Sequence, residues 1–188
     1  MSGIFTVKNF SVVVPVYNEE DIVLQSAAQI YDICKRQQLE FEIIFVENGS
    51  EDNTLSLIDG FIGDKKECRV ISLKLANYGN ALKQGFIQAN NEIVISFDID
   101  YFSEDFLNQA LSLEKTYSAI TASKRLVKSA DGRRLVRRIA TLTFVRILKI
   151  LFNTNLSDTH GMKAVRKTSI VKEVQNVVST QDLFDTEL

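Results

Sequence analysis

The 188-residue chain is poor in the features that often decide a class at a glance. Proline occurs once, at Pro15, and no proline-rich stretch marks a linker, so one domain over residues 1–188 is expected. The only histidine is His160; beside Gly161 it reads as a turn residue or, alternatively, as a base. The two cysteines, Cys34 and Cys68, lack metal-type spacing and read as reduced thiols of a cytoplasmic protein. No apolar run approaches the ~18 residues of a membrane span. The N-terminus lacks the basic stretch and apolar core of a signal peptide. Internal repeats and low-complexity segments are also missing. A net charge of −2 excludes nucleic-acid binding by bulk charge.

What remains is an ordinary soluble composition, 45% hydrophobic and 24% charged, long enough to bury a real core. The charge is unevenly spread. Lys124, Arg125, Lys128, Arg133, Arg134, Arg137, Arg138, Arg146 and Lys149 fall in one segment opposed only by Asp131. A basic segment on an acidic body points to a local anionic partner.

Apolar runs and helical spacing alternate along the chain. Strands are expected at Ser11–Val14, Phe41–Val46, Val70–Leu73, Ile93–Phe97 and Ala119–Ala122. Helices are expected at Glu20–Gln38, Asn53–Phe61 and Asn80–Asn90, and from Ser103 to about Tyr117. Ser103 is placed to cap the last of these, with Glu104 and Asp105 in its first turn. This order implies an α/β fold, a mostly parallel sheet covered by helices on both faces. In such sheets ligands bind beyond the carboxyl ends of the strands. Pro15–Tyr17, Glu47–Asn48 and Asp98–Asp100 all follow strand ends and are expected to share one edge.

Asp98-Ile99-Asp100 carries the most chemistry. Two carboxylates straddling one residue at a strand end can hold Mg²⁺ or Mn²⁺ and, through it, phosphates; equally, two Asp residues can open a turn. The run from Asn77 to Gly85 has glycines at 79 and 85 but fits neither the P-loop nor the dinucleotide fingerprint. It reads as a phosphate loop or as a helix start whose small residues allow close packing.

Four segments in order resemble the family-2 glycosyltransferases with the GT-A fold: Val14–Glu20, Val46–Thr54, Asn77–Gly85 and Phe97–Asp100. Downstream, Ala122–Arg125, Arg137-Arg138 with Thr141, Asp158–Ala164 and Phe184–Glu187 are similar to the polyprenyl-phosphate branch. That branch includes the dolichyl-phosphate mannose synthases. The resemblance runs from Ser11 to Leu188. It implies an inverting hexosyltransferase of glycan or cell-envelope synthesis, with a nucleotide-sugar donor of GDP-mannose or UDP-glucose type. It further implies a divalent cation, Mg²⁺ or Mn²⁺, and a polyprenyl-phosphate acceptor. By the same resemblance Pro15, Tyr17 and Glu19, with Glu47, Asn48 and Asp98, would bind the nucleotide sugar. Asp98 and Asp100 would hold the metal, Asp100 and Arg137 would be catalytic, and Lys124, Arg125 and Arg138 would bind phosphate. A saccharide or protein hydroxyl acceptor, or a nucleotide-sugar-binding remnant without transfer, are the alternative expectations.

Three positions depart from the family pattern. Asn48 stands where a carboxylate is common; its amide both donates and accepts, which alters base preference. Phe102 stands where a Gln is common beside the metal and cannot ligate a cation. Relatives continue beyond the point matching Leu188, so the chain is expected to be a fragment or a short member. Residues 133–152 combine a large apolar share with cationic ends. They read as a core helix with snorkelling Arg and Lys, or as a helix at the cytoplasmic face of a membrane near a lipid phosphate.

Overall fold

The computed structural model describes residues 7–112, 119–121 and 161–168. The first strand, β1 (Asn9–Val16), is buried from Phe10 onward, so both of its faces are covered. That explains a continuous apolar run in place of an alternating one. After α1 (Val23–Arg36) comes β2 (Glu40–Glu47), then α2 (Thr54–Ile62), β3 (Cys68–Ser72), α3 (Tyr78–Gln88) and β4 (Ile93–Ser96). Helix α4 (Glu104–Leu111) precedes β5 (Ala119–Thr121) and β6 (Lys163–Arg166).

The six strands form one sheet in the order β3-β2-β1-β4-β6-β5. Strands β3, β2, β1 and β4 are parallel. Strand β6 runs antiparallel to β4 and to β5. The expected mostly parallel α/β sheet is therefore present. The sixth strand was not expected, and it separates β5 from β4. Its four residues are buried, including Lys163 and Arg166.

Most element boundaries moved by a few residues. Helix α1 begins at Val23 because Glu20 is committed elsewhere: its N–H donates to Asp52 Oδ2 and its carboxylate accepts from Asn53. Helix α3 begins two residues early because the Asn77 side chain accepts from Asn80 N and caps it. Ser103 caps α4 as expected, with Glu104 and Asp105 in its first turn. That helix ends at Leu111, short of Tyr117, which lies outside the described residues.

Under β1 and β2 the core is built from Val13, Ile44, Val46, Leu82, Phe86 and Val94 with their neighbours. Gly85 brings α3 close to β1. A Cβ there would come within 2.2 Å of Val13 Cγ1. The packing reading of the small residues in Asn77–Gly85 is thus seen directly at Gly85.

Candidate functional site

The strand order reverses at β1, with β2 and β3 on one side and β4 on the other. The carboxyl ends of β1 and β4 therefore frame the crevice where open α/β sheets bind ligands. Register brings the expected residues to that edge. Pro15 pairs with Val46, Val16 with Glu47, and Glu47 with Ser72. Ser96 pairs with Val13, and Phe97 N donates to Val13 O, so Asp98–Asp100 emerge beside β1. Pro15 is buried, whereas Tyr17 is 43% exposed at the mouth.

The loops after β1 and β2 are interlocked. Asn18 N donates to Ser50 Oγ, and Glu51 N donates back to Asn18 Oδ1. Glu19 N donates to Thr54 Oγ1, while Asp52 also accepts from Thr54 N. Asn18 takes a left-handed backbone, φ 52°, a conformation that asparagine tolerates better than most residues. Gly49 turns the second loop at φ 76°, where a Cβ would press on the backbone of Leu75 and Ala76.

Glu47 and Asn48 are buried and hold this architecture. The Glu47 carboxylate accepts from Ser50 N and, at 3.0 Å, from Ser72 Oγ. Asn48 N donates to Val16 O, and Asn48 Oδ1 accepts from Asn77 N at 2.8 Å. The Asn48 side chain thus ties the end of β2 to the cap of α3. One residue on, the Tyr78 hydroxyl donates to Asp98 Oδ1 at 2.9 Å. Sequence reasoning did not single out Tyr78. The only signal was a tyrosine beside the cap in the Asn77–Gly85 run.

Asp98 and Asp100 sit in a tight turn. Asp98 and Tyr101 exchange backbone hydrogen bonds, N to O, at 3.2 and 3.0 Å. Within it Asp98 is half-buried, Ile99 is buried and Asp100 is exposed. The turn reading of the motif is therefore seen directly: Asp98 and Tyr101 close it, and both carboxylates lie in or beside it. Burial raises the Glu19 carboxyl pKa, and Asp100, Asp52 and Asp21 push it further in the same direction. Negative charge is thus concentrated at this edge, and a cation would relieve it. Hard carboxylate oxygens suit Mg²⁺ or Mn²⁺. Among the described residues no three His, Cys, Asp or Glu side chains converge into a metal cage. A cation held by Asp98 and Asp100 would have to draw its remaining oxygens from phosphate and water. Phe102 packs with its ring 6.4 Å from Phe97 and supplies no ligand, as its type requires.

Lys124, Arg125, Arg137, Arg138, His160 and the stretch 133–152 lie outside the described residues. Among the described residues, no helix is long and apolar enough to cross a membrane.

The described sheet and helices match solved GT-A structures. A mannosyltransferase, PcManGT from Pyrobaculum calidifontis in complex with GDP-Man and Mn²⁺, aligns with a TM-score of 0.65 at 18% identity, covering 97% of this chain and 50% of that one. Glucosyl-3-phosphoglycerate synthase from Mycobacterium tuberculosis, with Mn²⁺, UDP-Glc and phosphoglyceric acid, gives 0.61 at 19% identity, covering 86% and 57%. These likenesses establish the fold. In sequence, the undecaprenyl-phosphate 4-deoxy-4-formamido-L-arabinose transferase of Proteus mirabilis (strain HI4320) is 32% identical over 130 residues, 66% of this chain and 40% of that protein. The protein of the same name from Serratia proteamaculans (strain 568) is 33% identical over 102 residues, 53% and 31%. This chain spans less than half the length of either relative. The model of glycosyl transferase family 2 matches residues 11–174, from the first strand past the last described one, and so takes in every element that builds the crevice. That extent settles the affiliation: the chain belongs to glycosyl transferase family 2.

Proposed function

We propose that this chain transfers a sugar from a nucleotide donor to polyprenyl phosphate, with inversion at the anomeric carbon. The observation that carries the reading is the Asp98–Asp100 turn at the reversal point of the sheet, beside Glu19 and the interlocked loops. The relatives named as undecaprenyl-phosphate transferases support the choice of acceptor. Their named sugar is an arabinose derivative, a pentose, so the donor range to be tested is wider than the hexoses expected from sequence.

In this reading Pro15, Tyr17 and Glu19 line the nucleotide side, and Glu47 and Asn48 shape that side through the loops they hold. Asp98 and Asp100 would hold Mg²⁺ or Mn²⁺. A bound divalent cation supplies compensation for the negative charge that grows on the departing diphosphate. Arg137 would, by the family resemblance, supply a guanidinium donor to that charge. Lys124, Arg125 and Arg138 would, by the same resemblance, bind phosphate groups of donor and acceptor. The lipid phosphate is already an anion at neutral pH. Its oxygen attacks the anomeric carbon as the bond to the diphosphate oxygen breaks, and no general base is required. A chain with one histidine suits that chemistry. Residues 133–152 would give peripheral contact at the cytoplasmic face of a membrane, where the acceptor lies.

The test is incubation of the purified protein with Mn²⁺, polyprenyl phosphate and labelled GDP- and UDP-sugars, pentoses included. A lipid-linked product is expected with at least one donor. Transfer only to water-soluble acceptors would reassign the acceptor. Donor binding with neither transfer nor hydrolysis would mark a binding remnant.

A further inference from the structure

We infer that Tyr78 is a positioning residue of the donor site, acting through Asp98; this rests on the reading of Asp98–Asp100 as the cation–diphosphate anchor. The phenol donates to Asp98 Oδ1 at 2.9 Å and so restrains the direction in which that carboxylate presents its oxygens. A ligating carboxylate is commonly oriented by a hydrogen bond of its own, and loss of such a bond weakens metal binding.

The reach of Tyr78 is set by three features. Asn77 caps α3 by accepting from Asn80 N, which fixes the helix start one residue before the tyrosine. Asn77 N donates to Asn48 Oδ1, anchoring that start to the end of β2. At the other end of the helix, Gly85 lies so close to Val13 that no side chain fits between them. Helix α3 is therefore held at both ends against the parallel sheet, and its first residue is carried to the turn after β4. The series Asn48, Asn77, Tyr78, Asp98 joins the loop on the nucleotide side to the carboxylate on the diphosphate side. Tyr78 is half-buried, so its hydroxyl acts from within the wall of the crevice.

Tyr78→Phe keeps the ring and removes the hydroxyl. Binding of GDP and of UDP is measured by calorimetry in chelator and then with Mn²⁺, alongside thermal melting. The melting midpoint and the metal-free affinity are expected to match wild type. The gain in affinity on adding Mn²⁺ is expected to fall by about tenfold, the low end for losing such a support. An unchanged Mn²⁺-dependent gain in Tyr78→Phe would overturn the positioning role while leaving the anchor intact. Equal weakening with and without Mn²⁺ would also overturn it, by showing that Tyr78 serves the nucleotide pocket generally. If the wild-type protein gains nothing from Mn²⁺ with either nucleotide, the anchor reading itself fails, and the inference with it.

Discussion

The Tyr78 hydroxyl and the Asp98 carboxylate meet at 2.9 Å, joining the first turn of α3 to the end of β4 across twenty residues of chain. The contact crosses no elaborate scaffold. It needs a capped helix start, a glycine that lets the helix sit close, and a strand that stops just before Asp98. Each of these can be altered singly.

The close approach of α3 to β1 is the simplest to probe. Gly85→Ala places a methyl group 2.2 Å from Val13 Cγ1, inside any tolerable contact. The helix or the valine must shift, which costs about 1–3 kcal/mol for a small-to-large change in a packed core. Urea unfolding should show that loss. A shortened valine, in Gly85→Ala with Val13→Ala, should recover part of it.

At the opposite end of the sheet, Glu42 should make stability depend on acid. Burial alone would raise its pKa. Hydrogen bonds from Ser11 Oγ, Asn90 N and Asn90 Nδ2, with Arg69 close by, outweigh that effect and hold it below the usual glutamate value. A carboxyl with a depressed folded-state pKa stabilises fully above its unfolded pKa, about 4.3, and loses that contribution as pH falls through the folded value. Glu42→Gln should therefore be less stable than wild type at pH 7, and the gap should narrow below about pH 4. Chemical unfolding at several pH values checks both signs.

The two thiols should be inert in the native state. Burial pushes the Cys68 thiol up to about 11 and that of Cys34 higher still. Thiolate is the reactive form, so little is present near neutrality. A thiol reagent at pH 7.5 should label both cysteines only as fast as the fold opens, and denaturant should release both at once.

Much of the fold was legible because burial writes itself into local composition. Val12-Val13-Val14 and Ile43-Ile44-Phe45-Val46 are fully buried, and each reads as a strand without help from elsewhere. The shared edge of Pro15, Glu47 and Asp98 followed from strand order alone. Strand β6 was hidden for the converse reason. Lys163 and Arg166 flank only two apolar residues, and their burial depends on pairing with β4 some seventy positions away. The start of α1 was misplaced because Glu20 is held by Asn53 and Asp52, partners that no local window contains. The resemblance puts Asn48 at the base pocket; its side-chain Oδ1 in addition accepts from Asn77 N, a partner on another element that no local window contains. The hydroxyl of Tyr78 gave no periodic signal, since its partner lies on another element.

The most direct measurement is transfer of labelled sugar from GDP- or UDP-linked donors to polyprenyl phosphate in the presence of Mn²⁺, with Asp100→Ala run beside the wild type. A lipid-linked product from the wild type is predicted, falling about a hundredfold or more in Asp100→Ala, as expected for loss of a main charge-stabilising contact. A folded wild-type protein that yields no lipid-linked product with any donor, or an Asp100→Ala variant of full activity, would contradict the account.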